Sequence, residues 1–288
     1  MDDRTLVIVR GAGDLATGTI AKLVKSGYAV IALETEAPTA IRRTVAFSEA
    51  VYTGKQQVED VLGVRVRTPQ EAYALAMEGI PAILVDPEGE SIRQLHPAAV
   101  VDAILAKRNL GTNRGMAPFT VALGPGFTAG KDVNVVIETK RGHDLGRLIY
   151  EGAAAVNTGV PGMIAGYGAE RVVHAPTAGI LRARVQIADT IEKDAVIAVI
   201  EPERQTGICG VGGCACDLQT LGAVPVRASL TGLLRGLIRD GYPVTKGMKI
   251  ADIDPRSEEY DNCFKISDKA RCIAGGVLEA LLRAGVLP

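Results

Sequence analysis

The sequence predicts an α/β chain: a domain with a mainly parallel sheet, then a smaller all-β domain, then a C-terminal helix. Three observations predict it. Short apolar strands alternate with helical stretches over the first half, and the opening strand–helix–strand unit turns on a glycine-rich segment. From Arg171 onward the pattern changes to short strands with glycine turns that repeat internally. Alternating strands and helices imply parallel pairing, because a parallel crossover needs a long connection.

The elements follow in order. Thr5-Leu6-Val7-Ile8-Val9 is a β-branched run stopped by Gly11, which reads as a buried strand. Asp14 to Ser26 places apolar residues at Leu15, Ile20, Leu23 and Val24, a helix ended by Gly27. Tyr28 to Leu33 is a second buried strand, which completes a βαβ unit. Val64–Val66 and Pro81–Val85 read as strands, and Pro69–Glu78 and Pro97–Lys107 as helices. Phe119–Leu123 and Val133–Ile137 are two more strands. Only Gly124 to Asp132 joins them, so they are expected to be antiparallel or not neighbours.

Residues 175–200 (APTAGILRARVQIADTIEKDAVIAVI) and 228–253 (ASLTGLLRGLIRDGYPVTKGMKIADI) repeat at an offset of 53. Ala, Gly, Leu and Arg coincide at 175/228, 179/232, 181/234 and 182/235, and Lys, Ile, Ala and Ile at 193/246, 197/250, 198/251 and 200/253. Neither half closes a core alone, and two related by a pseudo-twofold bury a shared one. The pattern resembles the biotinyl/lipoyl (barrel-sandwich hybrid) domain. A helix from about Ser267 to Ala284 ends the chain, with Ser267 as cap and Gly275-Gly276 marking close approach of another backbone. The expected division is 1–168 for the parallel-sheet domain, 169–256 for the β domain and 257–288 for a helical tail.

Composition narrows the function. Lys+Arg 32 against Asp+Glu 33 leaves a net charge of -1, which argues against a broad nucleic-acid or anionic-membrane surface. No run approaches the ~18 apolar residues of a membrane span, and the start MDDRTLVIV carries no secretory signal. A cytoplasmic protein is expected. Five cysteines in such a chain read as free thiols or metal ligands rather than disulfides. No nucleophile elbow or P-loop is present, and His96, His143 and His174 show no metal spacing.

Gly11-Ala12-Gly13-Asp14-Leu15-Ala16 fits G-x-G-x-x-G/A between a strand and a helix, so the first domain is expected to be Rossmann-like. Gly11 turns the chain, Gly13 lets backbone approach a phosphate, Ala16 lets the helix pack closely, and the helix N-terminus attracts an anion. Asp14 counts against a phosphate. Glu34, at the end of the second strand, stands where a ribose-binding acid would. The plain alternative is that small residues pack this junction. Candidate partners at the same edge are the loop of Gly124, Gly126, Lys131 and Asp132, and Lys140-Arg141-Gly142-His143-Asp144, an anion clamp with a titratable His. Both read equally as surface turns, and the strand direction leaves open which end of the sheet the second occupies.

In biotin and lipoyl carriers the modified lysine sits between the two halves. Here no Lys occurs from Asp194 to Thr245, so a swinging-arm carrier is excluded. The link instead holds Cys209, Cys214 and Cys216 among glycines, a set for zinc, an iron–sulfur cluster or redox relay, with Cys263 or Cys272 as further ligand. The spacing matches no standard metal signature, and a glycine loop tolerates free cysteines in a reducing compartment.

The segments VRGAGDLATG (9–18), ETEAPTAIRRTVAFSEAVYTG (34–54), LVDPE (84–88), AKRNLGT (106–112), ALGPGFTAGKDVNVVIETKRGHDLGR (122–147) and SDKARCIAGGVLEALL (267–282) together resemble the YqeB family, accessory proteins of selenium-dependent molybdenum hydroxylases. The resemblance implies a role in maturing such a client enzyme, through molybdopterin or a labile selenium ligand. The cysteine link departs from the pattern. Three readings result: a maturation factor binding a phosphorylated, molybdopterin-type cofactor at the crevice; an NAD(P)-dependent oxidoreductase with Glu34 on the ribose of a dinucleotide; and a non-catalytic scaffold with a Cys-ligated metal. Homo-oligomerisation is open.

Overall fold

Leu6–Arg10 (β1) is buried at all five positions, as an apolar β-branched run is when both sheet faces are covered. Gly11, at φ +95°, ends it. Asp14–Lys25 (α1) and Ala29–Glu34 (β2) complete the parallel βαβ unit, with Leu6 opposite Ala29 and Arg10 opposite Leu33. The computed structural model describes residues 4–156, 163–202 and 222–288. They fall into two units: Met1–Val160 with Phe264–Pro288, and Pro161–Cys263.

In unit 1 the chain leaves β2 through Ala50–Thr53 (α2), whose left-handed Gly54 turns it into a hairpin of Lys55–Val58 (β3) and Val61–Val66 (β4). Pro69–Met77 (α3), capped by Thr68, leads to Ala82–Val85 (β5). Glu90–Leu95 (α4), Ala99–Asp102 (β6) and Phe119–Leu123 (β7) follow, then Thr128–Ala129 (β8), Val135–Ile137 (β9), Leu148–Ile149 (β10) and Gly152–Ala153 (β11). Nine strands form one sheet in the order β10-β9-β7-β6-β1-β2-β5-β4-β3, and β8 pairs with β11 apart from it. One face packs Val7, Val9 and Ile83 against Ile20, Leu23, Ile273 and Val277; the other packs Ile8, Ile31 and Leu84 against Ala72, Ala76 and Ile92.

Three expectations are corrected here. The Rossmann-like assignment is not retained: the sheet is mixed α/β, with the β3–β4 hairpin added beyond β5 and antiparallel strands β3 and β10 closing both edges. Residues 97–107 are not a helix. Ala99, Val100 and Val101 are fully buried as β6, because a β-branched apolar run fits a sheet covered on both faces, and the crossover helix is α4 instead. Finally, β7 and β9 are parallel neighbours, with Val121 opposite Val135. Their eleven-residue connection needs no helix, since it turns at Gly124, Gly126 and Gly130, all at positive φ, and crosses the sheet face as β8.

The last segment is no separate tail. Asp268–Arg283 (α5), whose Ser267 cap accepts from the Ala270 N–H at 3.1 Å, packs along α1 within unit 1. A Cβ on Gly18 would lie 2.8 Å from the Ala270 Cβ, and one on Gly276 2.2 Å from the Gly146 carbonyl oxygen. Gly276 is thus the close approach that the Gly275-Gly276 pair implied.

Unit 2 comprises Val172–His174 (β12), Gly179–Ala183 (β13), Thr190–Ile191 (β14), Val196–Glu201 (β15), Val224–Arg227 (β16), Gly232–Leu237 (β17), Pro243–Val244 (β18) and Lys249–Asp254 (β19). They form two antiparallel four-stranded sheets, β12-β19-β17-β14 and β16-β15-β13-β18, around a core of residues such as Leu181, Ile197, Leu234 and Ile250. Each sheet draws strands from both halves of the repeat, which explains why neither half closes a core alone. The repeat's shared glycines do the same work: a Cβ on Gly179 would sit 2.2 Å from the Glu201 carbonyl oxygen, and one on Gly232 2.3 Å from that of Asp254. The biotinyl/lipoyl assignment is not retained. The observed unit is a pair of antiparallel sheets, and the link that would carry the distinguishing hairpin lies within 203–221, outside the described residues.

Candidate functional site

At the carboxyl end of β1, Gly11 needs its positive φ, and its missing side chain clears Ala103, whose carbonyl oxygen would lie 3.0 Å from a Cβ. Gly13 is different. Its backbone is extended (φ −69°, ψ −174°), and a Cβ there would meet nothing within 4 Å. It stands at the N-cap of α1 with no side-chain cap, so the first-turn amides, which have no helical acceptor, remain uncapped by side chains.

A short 3-10 turn, Phe47–Glu49, is tied onto this glycine turn. The Ser48 N–H donates to the Ala12 carbonyl at 2.8 Å, and the Phe47 N–H to Thr17 Oγ1 at 2.9 Å. Ser48 is 1 % exposed, and its hydroxyl has no hydrogen-bond partner. Glu34 reaches back from β2: its carboxylate accepts from the Ala12 N–H at 2.9 Å and the Thr35 N–H at 2.8 Å. Asp14 forms an ion pair with the buried Arg42 at 3.0 Å, and Arg42 also donates to the Lys265 carbonyl at 3.1 Å.

Gly11, Gly13, Asp14, Ala16, Glu34 and Ser48 line one crevice of about 570 Å³, with an apolar wall that includes Pro38 and Ala103–Leu105. Its lining contains no Lys, Arg or His. Behind it, Arg10 and Asp102 share Thr112: the Thr112 hydroxyl donates to Asp102 at 2.6 Å and accepts from Arg10. Burial pushes the Asp102 carboxyl up, against those hydrogen bonds and Arg10.

The other candidates divide by strand direction. Since β9 runs parallel to β7, the Lys140–Asp144 turn emerges at the same sheet end as the glycine turn. There Arg141 pairs with Asp268 at 2.9 Å, while His143 is exposed. Lys269 stands half-buried in the charge field of Asp14, Glu138, Arg141 and Asp268; burial first, then Arg141, lowers its amine below the usual lysine value. Gly124 and Gly126 lie at that end but outside the crevice lining, packed against Thr139 and Arg108.

Lys131 and Asp132 are carried to the opposite end, where β9 begins beside the start of β7. Asp132 closes its own turn by accepting from the Thr128 N–H at 2.8 Å, and Lys131 is exposed. These two are corrected as crevice residues. Asp86 caps α4 through the N–H groups of Gly89, Glu90 and Ser91.

Cys209, Cys214 and Cys216 lie outside the described residues. Among the described residues, no group of three or more His, Cys, Asp or Glu is placed to hold a metal ion; Cys263 is buried and Cys272 exposed. Sequence reasoning missed Ser48, Arg42 and Lys269. The first two fall inside the 34–54 segment that carried the family resemblance, but no local spacing marks them.

The fold and site define a mixed α/β protein with an open, glycine-lined crevice at the carboxyl end of its parallel strands, accompanied by a two-sheet β unit. The chain is 49% identical over 277 residues to "Uncharacterized protein YqeB" of Escherichia coli (strain K12), covering 96% of this chain and 47% of that protein. This identity supports membership of the YqeB family, and the chain spans about half the length of that relative. No family model matches.

Among solved structures, the chain aligns with an aspartoacylase family protein from Mesorhizobium loti (14% identity, 88% of this chain and 86% of that one, TM-score 0.29). It aligns equally with a succinylglutamate desuccinylase/aspartoacylase from Rhodobacter sphaeroides (13%, 88% and 86%, TM-score 0.29). These alignments carry no argument about the fold pair expected from the sequence. At these TM-scores the likeness carries no argument for a hydrolase either. No helix among the described residues is long and apolar enough to cross a membrane.

Proposed function

We propose that this protein is a cytoplasmic accessory factor that binds a phosphate-bearing, molybdopterin-type cofactor as cargo and helps mature a selenium-dependent molybdenum hydroxylase. One observation carries the reading: the crevice of about 570 Å³ opens onto the N-terminus of α1, whose amides no side chain caps. Such amides bind anions through their N–H groups and the helix dipole. The volume lies within the range of small-molecule sites. The orphaned Ser48 hydroxyl fits a polar occupant, and the apolar wall suits a ring system. The family resemblance supplies the client and the cofactor class.

Calorimetric titration with molybdopterin and its nucleotide form tests the proposal. Binding in the micromolar range, abolished by Gly13→Asp, is expected. Absence of heat with both ligands, or binding that Gly13→Asp leaves unchanged, rejects it.

A further inference from the structure

We infer that the crevice selects a phosphodiester over a phosphate monoester, with Ser48 donating to a phosphoryl oxygen and Glu34 accepting from a ligand hydroxyl. The inference rests on the reading that an anion occupies the glycine turn, and goes on to name which anion.

Charge decides it. Two carboxylates line the crevice, and no Lys, Arg or His lines it with them. Asp14 is offset by Arg42 at 3.0 Å. Glu34 has backbone N–H partners, Ala12 at 2.9 Å and Thr35 at 2.8 Å. The attraction left for a ligand is the helix terminus, equivalent to roughly half a positive charge. A monoester carries about −1.5 to −2 at pH 7, and its second charge would face Glu34 with no lining cation to offset it. A diester carries one charge per phosphorus and keeps oxygens that accept hydrogen bonds.

Ser48 is the second, independent observation. It is 1 % exposed, lines the crevice, is anchored over the turn by its N–H on the Ala12 carbonyl, and has an unpartnered hydroxyl. Buried hydroxyls are rarely left unpaired, and an acceptor held at the α1 amides is the partner this one fits. Glu34 uses two acceptor positions on backbone and, with about four lone-pair sites on a carboxylate, has others for a hydroxyl.

The test titrates the full chain with ADP-ribose, a diphosphate diester, and with ADP, which ends in a monoester-like phosphate. ADP-ribose is expected to bind at least about tenfold more tightly. Ser48→Ala should weaken it about fivefold or more with an unchanged urea midpoint, since that hydroxyl bonds nothing in the chain. Glu34→Gln should narrow the ratio. Equal or tighter ADP binding, or a Ser48→Ala variant with unaltered affinity, overturns the inference.

A parallel titration with molybdopterin and its nucleotide diester separates the two claims. Selective ADP-ribose binding without either pterin removes the proposed function and keeps the selectivity. Molybdopterin bound as tightly as its nucleotide form does the reverse. Silence from all four ligands removes both.

Discussion

The Glu34 carboxylate, at the end of β2, accepts the Ala12 N–H at 2.9 Å and so ties the second strand to the glycine turn that follows the first. Ala12 is fully buried in the intact chain, and truncating Glu34 leaves its amide without that acceptor. Glu34→Ala should therefore destabilise unit 1 by about 1–3 kcal/mol, the cost of an unsatisfied buried donor. Urea denaturation measures this; a loss under about 0.5 kcal/mol would show that the contact does not hold the turn.

Gly13 separates binding from folding. A Cβ at this extended position meets nothing within 4 Å. Gly13→Ala should keep the melting temperature within about 2 °C, which corresponds to less than ~1 kcal/mol in a chain of this size. Gly13→Asp should fold as well, yet lose anion binding by an order of magnitude or more, because it adds a third carboxylate to the crevice.

The two adjacent glycines of α5 predict opposite signs. Gly275 has open space at its Cβ, so Gly275→Ala should stabilise by about 0.5–1 kcal/mol, the ordinary helix-interior gain. Gly276→Ala would bring a Cβ to 2.2 Å from the Gly146 carbonyl oxygen and should destabilise by about 1–3 kcal/mol. Thermal melts of both variants decide it, and a shared sign would contradict the helix placement.

Asp86 gives an acid-sensitive contribution. Burial alone would raise its carboxyl, but the Ser91 hydroxyl and the N–H groups of Ser91, Glu90 and Gly89 outweigh that and hold it below the usual aspartate value. A carboxylate with a depressed folded pKa contributes stability above its unfolded pKa of about 3.9, which is lost as pH falls through the folded value. Asp86→Asn should lower the urea midpoint at pH 7 and shrink the difference between wild type and variant below about pH 4. A constant gap across that range would show that the cap does not titrate this way.

The candidate site was legible only where its chemistry is local. The glycine turn, Asp14 and Glu34 follow one another within a βαβ unit, and strand–helix–strand spacing brings them together. Arg42, Ser48 and Lys269 reach the same region from a 3-10 segment and from the last helix, through contacts such as Ser48 N–H to Ala12 and Arg42 to Lys265. No periodicity records contacts of that kind. Likewise the Ala99–Asp102 run reads from its sequence as part of a helix over Pro97–Lys107, and burial on both faces made it a strand.

The sequence by itself determined the local units: the opening strand–helix–strand, the capped last helix, the 53-residue repeat, and the absence of a carrier lysine between its halves. These depend on hydrophobic period, glycine and cap residues, all short-range properties. Tertiary structure alone decided that β7 and β9 run parallel and that β5 is inserted beside β2. It also sent Lys131 and Asp132 to the far end of the sheet and returned α5 to pack on α1. Strand order and direction follow from which buried surfaces fit one another across the whole sheet. Positions far apart in the chain set that fit, so no local stretch of residues carries it.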